Sequence, residues 1–188
     1  MKVCIVSDSH DNRALLATAV HDAKQHGAEV VLHCGDVVAP TTLRGLPQLG
    51  LPVHVIHGNN TGDLVAMYYV MQKFPDIIHY HGMDASLEIA GRRIFLVHYP
   101  HYAQAMALTG DYDLVCCGHD HRFLIEEIHN VKGATTTLLN PGTVGGIGKP
   151  PTYILGDLDA MEFSVLPVPV DKMVMQNSDP VTPHTATS

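Results

Sequence analysis

The sequence predicts an α/β fold of two sheets, the first parallel and flanked by helices, the second mixed and packed against the first. Three observations lead there. Short continuous apolar runs, the pattern of strands covered on both faces, recur at Val3, Val30 and Val53. Each run ends in a polar loop followed by helical apolar spacing, and successive strand-loop-helix units imply parallel strands with helices packed on them. From Ala85 the rhythm changes to closely spaced strands separated by turn residues, as hairpins require.

In chain order, Val3 to Val6 is the first strand and Ser7-Asp8-Ser9-His10-Asp11-Asn12 its loop. Ala14, Leu15, Ala17, Ala19 and Val20 then fall on a helix that Gly27 can terminate. Val30 to Cys34 is the second strand, closed by Gly35-Asp36, with a short helix expected over Thr41 to Leu49 before Gly50. Val53 to His57 runs into Gly58-Asn59-Asn60 and a helical stretch from Gly62 to Phe74, whose expected apolar face is Leu64, Val65, Tyr68, Tyr69 and Met71. Ala85 to Ala90 and Arg93 to Val97 flank Gly91-Arg92 as a hairpin that finishes on His98-Tyr99-Pro100. A short helix from Tyr102 to Leu108 leads to the strand at Leu114 and the loop Gly118-His119-Asp120-His121. Further strands are expected at Phe123 to His129, Thr135 to Leu139, Thr152 to Leu158 and Met161 to Leu166. Residues 1–170 read as a single domain; 171–188 read as a polar tail, disordered from Ser178 to Ser188 because it has no apolar period and carries Pro180 and Pro183.

Composition narrows the function classes. The net charge is -8 and the 11 basic residues are scattered, which argues against a general nucleic-acid surface, since neutralising phosphates takes clustered Lys and Arg. A protein of this charge that handles phosphate must draw its positive charge from something other than side chains. Cys4, Cys34, Cys116 and Cys117 contain no Cys-x-x-Cys pair, and three lie in strand-like runs, so they read as small reduced core residues. The apolar start is too short for a signal peptide and no run approaches the length of a membrane helix; a cytoplasmic protein is expected.

The chemistry-bearing residues gather at predicted strand ends. Asp8, His10, Asp36 and Asn59 lie beyond the carboxyl ends of the first three strands, where parallel sheets bind ligands. His98, His119 and His121 close later strands, and imidazoles at i and i+2 of an extended segment point to one side. Singly, each has an ordinary explanation: Asp8 as a helix cap, Asp36 or Asn59 as a turn residue, His98 as a core histidine. Together they form a set of carboxylate, amide and imidazole donors that suits Mn, Fe, Ni or Zn better than Ca or Mg. Seven donors are too many for one ion and about right for two sharing a carboxylate. His21, His26, His54, His79, His129 and His184 fall on helix surfaces, in mid-strand or in the tail, and read as structural.

The order Asp8-x-His10, Gly35-Asp36, Gly58-Asn59, His98, Gly118-His119-x-His121 resembles that of the calcineurin-like metallophosphoesterases. The Gly91 hairpin, the Asn140-Pro141-Gly142-Thr143 loop and Pro151-Thr152-Tyr153 resemble its small archaeal and bacterial phosphodiesterase branch, related in fold to the retromer subunit Vps29. The resemblance implies a four-layer αββα sandwich with two mixed β-sheets and a centre of two divalent transition ions, manganese foremost. It implies that Asp8, His10 and His121 hold one ion, that Asn59, His98 and His119 hold the other, and that Asp36 bridges them with a hydroxide that attacks phosphorus in line. Asp36, His98 and Asn59 are thereby the expected catalytic residues.

Two departures stand out. Asn60 occupies the position where much of the family carries a histidine thought to protonate the leaving oxygen, and an amide cannot do so; esters with stabilised leaving groups, such as aryl or nucleotide diesters, are the expected substrates. Tyr99 follows His98 where the family usually has glycine; a ring there would narrow the pocket, and His101 is the candidate substitute acid. The expected partner is a small-molecule phosphate ester, with neither membrane nor nucleic acid, and self-association is left open. A phosphomonoesterase or nucleotide pyrophosphatase with the same site, and a non-catalytic Vps29-like protein-binding scaffold, are the alternatives.

Overall fold

The computed structural model describes residues 1–172, so the tail read as disordered lies almost wholly outside the described residues. In chain order the elements are β1 (Lys2–Val6), α1 (Arg13–Gln25), β2 (Ala28–His33), β3 (Val53–Val55), α2 (Leu64–Lys73), β4 (Ile78–Tyr80), β5 (Asp84–Ile89) and β6 (Arg92–Val97). They continue with α3 (Pro100–Thr109), β7 (Leu114–Cys116), β8 (Phe123–His129), β9 (Thr135–Pro141), β10 (Thr152–Asp157) and β11 (Glu162–Pro167). One sheet has the order β11-β10-β1-β2-β3-β4, the other β5-β6-β7-β9-β8.

Period-two alternation builds the layers. Cys4 and Val6 of β1 turn toward α1, packing with Leu16, Val20 and Val31, while Val3 and Ile5 turn the other way to meet Leu96, Leu114 and Leu139 of the second sheet. In β7, Val115 faces α3, packing with Ala103 and Ala107, while Leu114 and Cys116 face the first sheet. The result is helix, sheet, sheet, helix, the four-layer sandwich expected. Ile5, with no exposed surface, is held from both sides, and truncating such a residue to Ala costs about 2–5 kcal/mol.

The first sheet is not wholly parallel. β1 to β4 are, but β10 returns antiparallel to β1, with Cys4 opposite Leu155, and β11 extends it. The C-terminal hairpin thus adds to the first sheet rather than the second, making both sheets mixed. The stretch over 41–49 is a 3-10 helix, Pro40–Leu49, because Pro47 inside it denies an α-helical hydrogen bond. β3 stops at Val55, two residues short of the expected end, and β4 has no counterpart in the sequence reading.

The face expected of α2 is also turned round. Met67 and Val70 are the buried residues, whereas Leu64, Val65, Tyr68 and Tyr69 are exposed. Eight of its ten residues, LVAMYYVM, are apolar, so two faces satisfy helical spacing and periodicity alone cannot choose between them. α1 is capped by Asn12, whose side chain accepts from the Leu15 N–H; this removes the capping explanation for Asp8. All four cysteines are buried and unpaired as expected, and no helix among the described residues is long and apolar enough to cross a membrane.

Candidate metal centre

The carboxyl ends of β1, β2 and β3 in one sheet and of β6 and β7 in the other open on the same side. Asp8 and His10 follow β1, Asp36 follows β2 and Asn59 follows β3, while His98 follows β6 and His119 and His121 follow β7. The donor atoms of Asp8, His10 and His121 lie within 4.8 Å of one another, as do those of Asp8, Asp36 and His98. Asn59 Oδ1 joins the second group, 3.0 Å from His98 Nε2 and 2.8 Å from His119 Nδ1. All seven strand-end residues therefore converge.

The backbone works to achieve this. Asp8, His10, Asp36, His119 and His121 all have positive φ, between 42° and 79°. Asp and His are among the few residues found there, and each such conformation costs about 1–3 kcal/mol unless its surroundings enforce it. The enforcement is visible: the N–H groups of Asp8 and His10 bond the carbonyls of Gly35 and Asp36, and that of Gly118 bonds His98 O. Glycine is needed for close approach. A Cβ on Gly118 would stand 2.6 Å from Asp8 Oδ2, and one on Gly58 would strike Asp36 and His98.

Hydrogen bonds fix which atoms face the centre. His98 Nδ1 donates to Cys34 O at 2.8 Å and His121 Nδ1 to Ile147 O at 2.8 Å, so each presents Nε2 inward, as supporting carbonyls orient imidazole ligands. His121 Nε2 then faces Asp8 Oδ1 at 3.4 Å and His10 Nε2 at 3.1 Å, while His98 Nε2 faces Asp36 Oδ1 at 3.4 Å. Asp8 Oδ1 is buried and has no hydrogen-bond partner, although Oδ2 accepts from the His119 N–H. Lone pairs facing lone pairs around an orphaned buried carboxylate oxygen call for a cation. The donors present fit a transition metal.

The charges report the same demand. Burial holds the Asp8 carboxyl above its ordinary range. Burial pushes Asp36 up as well, but His98 and the two Asn60 donors outweigh it and hold this carboxyl well below the usual range. Burial depresses His98, and Asp36, the Cys34 carbonyl and the Asp8 charge together raise it above an ordinary imidazole. Asn60 closes this group: its backbone N–H donates to Asp36 Oδ1 at 2.8 Å and its side-chain amide to Oδ2 at 2.6 Å.

Several contributors escaped the sequence reading. His33 is buried, accepts from the Gly35 N–H through Nδ1 and bonds Ser9 Oγ through Nε2, tying the first two loops together; burial lowers its pKa to about 3. The 140–145 loop supports Asp8 from the other side, with Thr143 Oγ1 and the Gly145 N–H on Asp8 O, while Asn140 bridges Gly118 O and Asp120. Asp120 is accordingly a turn residue and not a donor to the centre. The available signal was a turn-residue cluster closing a strand, the same pattern that marks the other loops. Tyr99 does stand over the site, its ring 5.4 Å from that of His98 and 5.0 Å from that of His119; His101 is exposed and packs on Tyr102 at 4.3 Å.

The chain is similar to several known proteins. A phosphodiesterase of Methanocaldococcus jannaschii is 29% identical over 168 residues, covering 87% of this chain and 96% of its own. A solved structure described as a novel archaeal phosphodiesterase superposes with a TM-score of 0.79 at 26% identity, covering 89% of this chain and 99% of that one. Vps29 of Entamoeba histolytica shares the fold, with a TM-score of 0.61 at 17% identity over 89% of this chain and 99% of its own. The calcineurin-like phosphoesterase superfamily domain matches residues 1–161. Of 188 residues that is most of the sequence, and the chain belongs to the calcineurin-like phosphoesterase superfamily.

Proposed function

We propose that this phosphoric ester hydrolase is a phosphodiesterase with a two-ion centre. Asp8, His10 and His121 would hold one ion, Asn59, His98 and His119 the other, with Asp36 shared between them. The observation that carries the reading is the orphaned Asp8 oxygen facing inward-turned imidazole nitrogens at 3.4 and 3.7 Å. The diesterase assignment is supported by the relative of Methanocaldococcus jannaschii.

Divalent ions, manganese first and nickel, iron or zinc next, would supply Lewis-acid polarisation of the phosphoryl oxygens and acidify a water for in-line attack. The chain's part is to hold position. Cys34 O and Ile147 O keep His98 and His121 aimed inward, and Asn60 locks the Asp36 carboxylate from two directions. The Asn60 amide is not acidic enough to protonate the leaving oxygen, so esters whose leaving group departs as an anion, aryl and nucleotide diesters among them, are favoured. A cytoplasmic setting belongs to the proposal and is supported by four buried, unpaired thiols.

The test is metal analysis of the purified protein, then hydrolysis of aryl phosphate mono- and diesters with Mn or Ni added. Near two ions per chain, with diester turnover that disappears in Asp36→Ala, is the expected result. Turnover of monoesters alone would move the assignment to a phosphomonoesterase. Metal binding without turnover of any phosphate ester would favour a scaffold of the Vps29 kind.

A further inference from the structure

Tyr99 immediately follows the proposed ligand His98 and opens α3. Its ring meets His98 and His119 edge to face, at interplanar angles of 71° and 64°. Tyr102 stands nearly perpendicular to it, at 5.8 Å and 83°, and is 54% exposed. An exposed tyrosine alone says little. Here two rings form a corner whose one wall touches two residues of the metal centre, and the corner is rigid. Pro100 occupies the first turn, the Tyr102 and Ala103 N–H groups bond Tyr99 O at 3.1 and 3.0 Å, and Ala103 is fully buried against the second sheet.

The organic part of a phosphate ester is largely uncharged, and the side chains of this corner that stand beside the centre are aromatic. We infer that Tyr99 and Tyr102 form a shelf that stacks a planar aromatic group of the substrate while its phosphate lies at the metal centre. The substrate class is thereby narrowed to phosphate esters carrying an aryl or nucleobase ring. This rests on the phosphoesterase reading of the same site and adds the residues that choose among esters. Stacking on an aromatic side chain is worth about 5- to 150-fold in affinity per ring.

The test separates stacking from leaving-group chemistry by measuring binding alone. Calorimetric titration of the manganese-loaded protein with phenylphosphonate and methylphosphonate, neither of which has an ester to cleave, gives an aryl preference expected at about tenfold. The Tyr99→Ala/Tyr102→Ala protein should bring the ratio close to one at unchanged metal content, while Tyr99→Phe should keep it. If the double variant does not fold, Tyr102→Ala alone, at an exposed position, should still lower the ratio. Equal binding of the two phosphonates by the unaltered protein, or an unchanged ratio in the alanine variants, overturns the proposal. The methylenephosphonate analogue of adenosine 5′-monophosphate against phenylphosphonate separates the sources: a gain for the nucleotide analogue that the variants lose assigns a nucleobase, equal affinity a simple aryl group. A protein that hydrolyses no diester yet shows the phenyl preference retains the shelf and refutes only the diesterase assignment.

Discussion

Replacing Gly58 by Ala tests the centre with a single methyl group. Its Cβ would stand 2.7 Å from His98 Nε2 and 2.8 Å from the Asp36 N, and closer still to Asp36 Oδ1, where ordinary contact begins at 3.4 Å. His98 would have to retreat by about 0.7 Å. It is only 1% exposed and tied through Nδ1 to Cys34 O at 2.8 Å, so there is nowhere to go without breaking that bond. Overpacking costs about 1–3 kcal/mol and loss of a hydrogen bond to a charged group about 1.5–3 kcal/mol, together about 2.5–6 kcal/mol. That cost divides between folding and metal binding, and ligands displaced by more than about 0.2 Å no longer fit an ion. Manganese titration with metal analysis after gel filtration should show the ion at Asp36, Asn59, His98 and His119 lost or at least a hundredfold weaker, with a lower melting temperature. Gly133→Ala is the control: its φ of +76° costs about 1 kcal/mol, but no atom lies within 4 Å, so metal content should not change. Two ions bound with unaltered affinity and stability in Gly58→Ala would refute this packing.

Manganese at about a hundredfold its dissociation constant should stabilise the folded protein by about 2.7 kcal/mol, roughly 5–10 °C in a melting scan that a chelator reverses. No shift with Mn, Ni, Fe or Zn would contradict a cation at Asp8. Asn60→His should restore a proton donor and raise turnover of alkyl diesters at least tenfold relative to aryl diesters; an unchanged ratio would show that leaving-group protonation is not limiting. His54 lies against His79 and His81, and burial, then those two neighbours, lower its pKa to about 4. The unfolded chain binds this proton near pH 6.5 and the folded one only near 4, so its stability contribution is complete above 6.5 and is lost as pH falls through that window. Melting temperatures between pH 7.5 and 4.5 should fall less in His54→Gln than in the unaltered protein, and parallel curves would refute this.

The site was more legible than the frame around it. Asp8, Asp36 and Asn59 could be placed because a parallel strand ends where its apolar run ends, and the residues just beyond it must lie on the ligand-binding rim. His119 and His121 could be paired by the same logic. The support from Thr143 and Gly145 could not, because those residues reach Asp8 from more than 130 positions away and turn-forming sequences do not say which loop they will meet. Asn60 was recognised as a missing acid, but its double hold on Asp36 depends on side-chain direction, which spacing does not encode. β10 and β11 read clearly as a hairpin; only the closed sandwich determines that they extend β1. The inverted face of α2 has a different origin, since a helix apolar on both sides carries no signal to misread.

The donors come from both halves of the sandwich: Asp8, His10, Asp36 and Asn59 from the rim of one sheet, His98, His119 and His121 from the rim of the other. An ion held by Asp8, His10 and His121 would therefore stitch the two sheets together at one end, much as a disulfide would. The buried cluster between the sheets is built from side chains such as Val3, Ile5, Leu96 and Leu114, while hydrogen bonds such as His98 Nδ1 to Cys34 O and the His119 N–H to Asp8 already join the two rims. Metal loading would add to those bonds and stiffen the rim where the two sheets meet. Amide exchange in β6 and β7 should then slow on adding manganese even at residues far from the ions.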